Sequence, residues 1–419
     1  MPTPFTTPLC RQPQTIGMLL PLSGRFQQYE ERSAEAIKLA FKSAPEYKLL
    51  FKDTQGDPTI ASKAVEDLVL DDQVIGLIGS LFSKSATAAA LKAEELSVPM
   101  LSLSHQDGLP QIGPHIFRTA LTPKAQAEAL AQVAFEKLGM TRFAILHPRS
   151  RYGHEIADAF WDEVDRRKGE IRGIESYEHD ETTFREPVRK LVGRWYLLAR
   201  RAYEDGKWQC RSKKLPAHRR QQCMDDLQKG IAPVVDFEAI VIPDSAKNLG
   251  LLAPALAFED IVMTHDPKEL ETIKKAMGRN DVHPVTLLGA STWNSQQTVE
   301  RCERYCENAV FVDGYFPDNP DSNVRDFVSL FREKTGAMPL LSEAQAFDTA
   351  GLLKTILQSD APKDRDKLTQ ALKDLQNYRG VTGTLRFDKD GDVKRDLYTL
   401  TITEGAIHLW TPQTKPSPG

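Results

Sequence analysis

Short apolar runs of about five residues alternate with amphipathic helical stretches along most of this chain, and no other feature restricts its fold as strongly. Ile16-Gly-Met-Leu-Leu-Pro-Leu-Ser-Gly24 is an apolar run closed by turn residues, and after it Ala34, Ile37 and Phe41 fall on one helical face. Leu49 to Asp53 predicts a second strand, Gly56-Asp-Pro58 a turn, and residues 61–70 a helix with Ala64 and Leu68 on one side. Residues 74–78 and 98–102 predict two more strands, with an Ala-rich helix over 83–96 between them that a Ser could cap. Continuously apolar strands alternating with helices demand a parallel sheet covered on both faces, because each strand must bury both sides. The rhythm restarts after Phe117-Arg-Thr-Ala-Leu121, with a helix over 124–138, a strand over 142–147 and a helix over 154–167. Strands at 238–242 and 285–289 continue it. The chain therefore reads as two successive doubly wound α/β units, whose ligands would bind in the loops beyond the carboxyl ends of the strands. Those loops begin at Ser23, Ser80, Ser102, Pro148, Pro243 and Ala290.

At roughly 100–200 residues per domain, a chain of 419 residues holds two to four domains. Its charge sum is 54 − 58 = −4, which supplies no global attraction to nucleic acid. No apolar stretch is long enough to span a bilayer, and the Pro- and Thr-rich start lacks the pattern of a signal peptide, so the chain is expected to be either cytoplasmic or already processed. One segment breaks the rhythm. Residues 185–229 carry 13 Lys and Arg against 5 Asp and Glu, a local +8 set into a body of −12, with Trp195, Tyr196, Tyr203 and Trp208 interleaved. Such a run is either the solvated face of helices or a basic surface for an anionic partner. After Gly383 the tail predicts antiparallel strands joined by tight turns, and Asp388-Lys-Asp-Gly-Asp392 reads as an Asp-Gly turn because Val393 and Thr399 stand where an EF-hand loop needs Gly and Glu.

Reactive chemistry finds no foothold in the sequence. Dinucleotide and nucleotide phosphate loops, a nucleophile elbow and a zinc-protease helix are all missing, and His154-Glu155 lacks a second His four residues on. No catalytic residue, metal or cofactor is expected. Five cysteines leave several readings open. Cys210 and Cys223 are 13 apart and Cys302 and Cys306 sit four apart on a predicted helix, spacings that permit two disulfides or unrelated thiols and fit no zinc framework. Cys10 is left over.

The carrying motifs are Ile16–Gly24 as written above, Asp53-Thr-Gln-Gly-Asp-Pro58, Val74-Ile-Gly-Leu-Ile-Gly-Ser80 with Ser83-Lys-Ser85, and Val98-Pro-Met-Leu-Ser-Leu-Ser104. Ile116-Phe-Arg-Thr119, Arg151-Tyr-Gly153 and Gly383-Thr-Leu-Arg-Phe-Asp388 follow in order. In this order and spacing, from about Thr15 to Trp410, the chain resembles the type I periplasmic binding proteins of the branched-chain amino acid class. The resemblance implies an α/β fold of two Rossmann-like lobes joined by three hinge crossings, near Thr119, Phe316 and Val381, with a ligand cleft between them. It places lobe 1 in 15–119 plus 317–381 and lobe 2 in 120–316 plus 382–410, with the basic insertion 185–229 in lobe 2, a disordered start over 1–14 and a tail over 411–419. It implies that a small polar ligand, amino acid-like or peptide-like, is held by Ser83 and Ser85 at the third helix and by Ser104 and Gln106 after the fourth strand. Phe26 and Tyr29 correspond to the family's aromatic after the first strand, and Tyr152 to the Tyr of Arg-Tyr-Gly.

One departure bears on the ligand. Amino acid receptors of this family hold the ammonium with an acid in the loop that here reads Gly289-Ala-Ser-Thr-Trp-Asn294, and Ser291 stands in its place, with Trp293 beside it in the expected ligand set. A neutral Ser cannot provide the charge-assisted bond that offsets the dehydration of an ammonium. Asp244, after the preceding strand, is the candidate substitute. What the resemblance implies is a monomeric, non-enzymatic, extracytoplasmic solute-binding protein, its signal peptide removed, serving an ABC permease or a sensor. Leu20-Pro-Leu-Ser-Gly-Arg25, Pro243-Asp-Ser245 and Gly289–Ser295 also resemble the penicillin-binding protein activators, which makes an envelope protein contacting a peptidoglycan synthase the alternative. A lipid anchor at Cys10 would need a better match than Thr7-Pro-Leu-Cys10.

Overall fold

The computed structural model describes residues 15–23, 27–213, 215–359, 362 and 364–411. The described chain divides into two compact units, one within Met1–Thr122 and Gly314–Leu397, the other within Pro123–Asp313 and Tyr398–Gly419. The expected start over 1–14 and all of the expected tail except Thr411 lie outside the described residues.

The first unit opens with β1 (Thr15–Leu20), α1 (Gln27–Ala40), β2 (Lys48–Asp53), α2 (Pro58–Leu70), β3 (Gly76–Gly79), α3 (Ser83–Glu95), β4 (Met100–Ser102) and β5 (Ile116–Arg118). Its strands form a parallel sheet in the order β2-β1-β3-β4-β5. Burial on both faces explains the continuous apolar strands. Ile16, Met18 and Leu20 point into one cluster with Ile37, Phe41 and Phe327, while Leu19 joins Leu68, Leu77, Ala89 and Ala90 on the other side. Helix α2 starts where Asp57 accepts the Thr59 and Ile60 N–H groups and Pro58 occupies a position that needs no donor.

The second unit repeats the plan with α4 (Pro123–Gln132), β6 (Arg142–Pro148), α5 (Arg151–Arg166), β7 (Glu170–Tyr177), α6 (Arg185–Leu191), α7 (Arg201–Ser212), α8 (Ala217–Gly230), β8 (Ala239–Val241), α9 (Ala246–Phe258), α10 (Pro267–Met277), β9 (Thr286–Gly289), α11 (Gln296–Cys302) and β10 (Val310–Asp313). The chain returns to the first unit as α12 (Ser322–Thr335), α13 (Leu341–Ser359), α14 (Arg365–Lys373), β11 (Tyr378–Gly380), β12 (Gly383–Phe387) and β13 (Val393–Lys394), then closes the second with β14 (Tyr398–Thr403) and β15 (Ala406–Leu409). The second sheet runs β15-β14-β10-β9-β8-β6-β7, with β14 antiparallel to β10. Its parallel part, β7-β6-β8-β9-β10, has the same strand order as the first sheet, so each unit has its own topological switch point, between β1 and β3 and between β6 and β8.

Several details differ from the sequence expectation. Residues 382–397, placed by sequence in the second lobe, belong to the first unit. There β12 pairs with β11 and β13, Phe387 packs on Phe117 at 5.0 Å, and Asp392 forms a two-bond fork with the buried Arg118. The Asp388 carboxylate accepts the N–H groups of Asp390 and Asp392, which closes the expected Asp-Gly turn. The helix expected over 124–138 loses its α pitch after Gln132 and widens into a π turn. Cys210 is bonded to Cys223, Cα to Cα 5.9 Å, and Cys302 to Cys306 at 5.6 Å. Cys302 and Cys306 do not share one helix, because α11 ends at Cys302 and Glu303 turns the backbone at φ 49°. Cys10 lies outside the described residues.

Candidate functional site

Each unit presents a polar cluster at the carboxyl ends of its central strands. In the first unit the loop after β1 is tied down by Asp53, whose carboxylate accepts the N–H of Leu22 at 2.8 Å and of Gln55 at 2.9 Å. Partial burial opposes its ionisation, but these bonds and one from Ser23 hold the carboxyl below its usual range. That loop leads to Phe26, which lies outside the described residues, as does the side chain of Tyr29 in α1.

β3 ends in Gly79, where φ is +116° and a Cβ would strike the Leu19 carbonyl, so only Gly lets β3 pass β1 this closely. Beyond it the hydroxyls of Ser80 and Ser85 share a hydrogen bond of 2.8 Å, and Ser85 also donates to the Phe82 carbonyl at 3.0 Å. The Ser102 hydroxyl donates to the Ser80 carbonyl at 3.4 Å and accepts the Ser104 N–H at 3.2 Å. Ser104 in turn accepts the Gln106 N–H at 3.3 Å. Ser80, Ser85, Ser102 and Ser104 are all buried. Of the residues expected to bind ligand, Ser85 is thus bonded at the end of β3 and Ser104 at the end of β4, and the Ser102–Ser80 bond joins the two ends. Gln106 is half-buried, with its Nε2 donating to the Asp107 carbonyl at 3.0 Å. Its own carbonyl accepts from Arg118 at 2.6 Å.

Ser83 differs from its neighbours. It is the first residue of α3 and half-buried, and its hydroxyl makes no hydrogen bond among the described residues. The helix is not capped by a Ser, as the sequence suggested. Phe82 holds the cap position and offers no side-chain bond. The first-turn N–H groups of α3 therefore stand without intrahelical acceptors beside a free hydroxyl, at the positive end of a helix 13 residues long.

In the second unit Tyr152 is the second residue of α5, whose start is capped by Ser150 accepting the Gly153 N–H at 3.1 Å. The Tyr152 hydroxyl donates to Gln126 Oε1 at 3.4 Å, and the same oxygen accepts the Ser291 N–H at 3.0 Å. Burial pushes the Tyr152 hydroxyl up, against hydrogen bonds with Ser291 and Thr292, so it stays a neutral donor. Asp244 is buried and its carboxylate is already engaged, by Tyr177 at 2.6 Å, the Ser245 N–H at 2.6 Å and Asn248 Nδ2 at 2.9 Å. Burial and the Asp244 charge raise the Tyr177 hydroxyl well above its ordinary value, which keeps the proton on the donor. The Thr292 hydroxyl closes the cluster by donating to the Asp244 carbonyl at 2.7 Å.

Two expectations change here. Trp293 is fully buried, packed on Phe311 and lying where any Cβ at Gly289 would collide with its indole, so it fills the core of the unit and cannot line a binding surface. Asp244 is a structural acceptor rather than an open carboxylate. Ser291 is half-buried and stays at the end of β9 with Tyr152 and Gln126. Gln126, Tyr177, Asn248 and Thr292 were missed. Gln126 carried a signal, a lone amide on the apolar face of α4 between Pro123 and Leu130. Tyr177 carried none, because β7 alternates exposed and half-buried residues and does not read as an apolar strand.

Among the described residues no Ser hydroxyl of either cluster is hydrogen-bonded to a His or Lys, and the arrangement supplies neutral donors and acceptors suited to holding a solute. The family profile of periplasmic binding proteins matches residues 13–193 and 254–406. A putative branched-chain amino acid ABC transporter from Rhodospirillum rubrum is 21% identical, with a TM-score of 0.72 over 94% of this chain and 99% of that one. The substrate-binding protein LivJ from Streptococcus pneumoniae, solved with isoleucine, is 20% identical with a TM-score of 0.62 over 94% and 97%. A solute-binding protein of an ABC transporter from R. palustris, solved with benzoate, is 15% identical with a TM-score of 0.61 over 94% and 95%. No curated protein matches the chain. Neither the family nor these structures supports the penicillin-binding protein activator resemblance.

Proposed function

The chain belongs to the periplasmic binding protein family, a group of solute-binding proteins, and we propose from that premise that its solute is a small carboxylate bound for delivery to an ABC permease. The observation that carries this reading is the start of α3, where Ser83 offers an unbonded hydroxyl beside free backbone N–H groups. That constellation recognises an anion. At the strand ends of the second unit, the half-buried Tyr152 and Ser291 hydroxyls are neutral hydrogen-bonding groups. Ser291 is uncharged and Asp244 is engaged by three donors, so neither of these two residues offers an open acid to an ammonium. An acid without an ammonium therefore suits the residues better than an α-amino acid. Relatives of this fold solved with benzoate and with isoleucine share the carboxylate and differ in the ammonium.

A periplasmic location accords with the family and with two disulfides, which persist in oxidising compartments. No helix among the described residues is long and apolar enough to cross a membrane. A thermal-shift panel of benzoate, 4-hydroxybenzoate, leucine and isoleucine tests the assignment, because a solute at about 100 times its Kd adds about 2.7 kcal/mol of stability. The expected result is a shift with at least one aromatic acid and a weaker or absent one with leucine. A shift with leucine alone would overturn the preference, and no shift with any carboxylate would overturn the site.

A further inference from the structure

The family match breaks between residues 193 and 254, and the helical hairpin α7–α8 lies in that gap. The two helices pack on each other and are stapled by Cys210–Cys223. Much of the surrounding basic charge is already neutralised. Arg185, Arg189 and Arg194 lie against Glu259, Arg194 also against Asp260, Lys190 against Glu186, Lys207 against Glu204 and Arg201 against Asp205. The hairpin tip is different. Residues 211–220 read Arg-Ser-Lys-Lys-Leu-Pro-Ala-His-Arg-Arg, five cations and a His with no acid. Arg211, Lys213, Arg219 and Arg220 are exposed and make no ion pair among the described residues.

The tip also has shape. A surface groove of about 800 Å³ is lined by Tyr203 and Arg211 from α7 and by Arg220, Gln221, Met224 and Asp225 from α8. Asp225 is the acid there, held by Gln221 Nε2 at 2.9 Å. One helical turn before Arg211, Trp208 stands 71% exposed, so a large aromatic and a free guanidinium lie side by side on α7.

We propose that the tip of the α7–α8 hairpin is a docking site for an acidic polypeptide segment of a partner protein. Charge complementarity selects an acidic occupant, and the concave groove between two covalently joined helices selects an extended chain over a flat surface. Arg and Trp are among the residue types that most often carry the binding energy of protein interfaces. An anionic bilayer fits less well, because a flat surface cannot enter the concave groove lined by Tyr203, Arg211 and Arg220.

Anisotropy of a short fluorescein-labelled poly-glutamate peptide, titrated with the full chain, tests the site. Binding is expected at low salt and should weaken steeply by about 150 mM, where the Debye length falls to about 8 Å. Replacing Arg211, Arg219 and Arg220 together by Ala removes three cations available to pair with the peptide and should weaken it about tenfold, with far-UV circular dichroism unchanged. The Cys210→Ala/Cys223→Ala variant keeps every charge but frees the two helices, and should weaken it as well because the groove is built from both. Binding by neither protein nor variant, equal binding by the triple variant, retention in the cysteine variant, or binding to phosphatidylglycerol vesicles in place of the peptide would each overturn the proposal. The thermal shift by small carboxylates uses other residues and is expected to be unchanged in both variants.

Discussion

Replacing Asp244 by Ala separates a structural from a ligand-binding role for its carboxylate in the second cluster. Its side chain accepts from the Tyr177 hydroxyl, the Ser245 N–H and Asn248 Nδ2, and the bonds to Tyr177 and Asn248 are buried. An unsatisfied buried donor costs about 1–3 kcal/mol. Two such donors cost about 2–6 kcal/mol, offset in part because the variant no longer buries a charge, so a net loss of about 3 kcal/mol is expected. In a unit of about 200 residues that lowers Tm by roughly 6–12 °C. Tyr177→Phe removes one donor and leaves the carboxylate two, for a loss of about 1 kcal/mol. Because the two residues share a bond, the double variant should be less destabilised than the sum by about 1 kcal/mol or more, outside the usual scatter of independent sites. Differential scanning fluorimetry with and without benzoate measures all four proteins. A normal Tm in Asp244→Ala together with a lost benzoate shift would refute the reasoning, since the carboxylate would then face the solute; strict additivity in the cycle would refute the bond.

Ser83→Ala removes the unbonded hydroxyl at the start of α3 and should weaken carboxylate binding about tenfold or more while leaving Tm without ligand unchanged, as calorimetric titration would show. Tyr152→Phe should weaken the same ligand less, because the Ser291 N–H to Gln126 bond survives it; a loss larger than that of Ser83→Ala would reverse their ranking. The folded Asp53 carboxyl lies below its unfolded value, so its contribution to stability is present above about pH 4 and is lost as pH falls through the folded value. Acid titrations followed by circular dichroism should therefore fall less steeply below pH 4 in Asp53→Asn than in the parent. Cys210 and Cys223 should resist alkylation in the native chain until reduced, and labelling without reductant would contradict the bond.

Much of the fold was legible where a fully buried strand is also a continuous apolar run. β1 and β3 are buried at every residue, and their apolar runs mark them in the sequence. β7 was not legible because it is an edge strand with one polar face; β10 is as short and as buried as β3, but it ends in Asp313 and follows the Cys302–Cys306 turn with no helical pattern to set it off. The assignment of 382–397 failed for a different reason. It depends on long-range partners, Phe117 and Arg118, that are more than 250 residues away in the chain and leave no local trace. At the site, motif position located the right loops but could not say which hydroxyls are spent. Ser83 and Ser85 are two residues apart on one helix, yet the helical turn between them sends Ser85 inward to Ser80 and leaves Ser83 unbonded.

The same distinction between a residue and its partners resolves the basic segment. Read as a sum, +8 over residues 185–229 describes one surface. The ion pairs divide it in two. Around α6 the cations serve the fold, because Arg194 donates to the Ile231 carbonyl at 2.8 Å as well as to Glu259 and Asp260, and so ties the chain on either side of the hairpin to the end of α9. Truncating Arg194 should therefore destabilise the unit and leave poly-glutamate binding intact. Truncating Arg211, Arg219 and Arg220 should do the reverse, since nothing among the described residues pairs with them in ionic contact. Were both sets of substitutions to weaken binding equally, the segment would act by diffuse charge, and the groove at its tip would have no part in recognition.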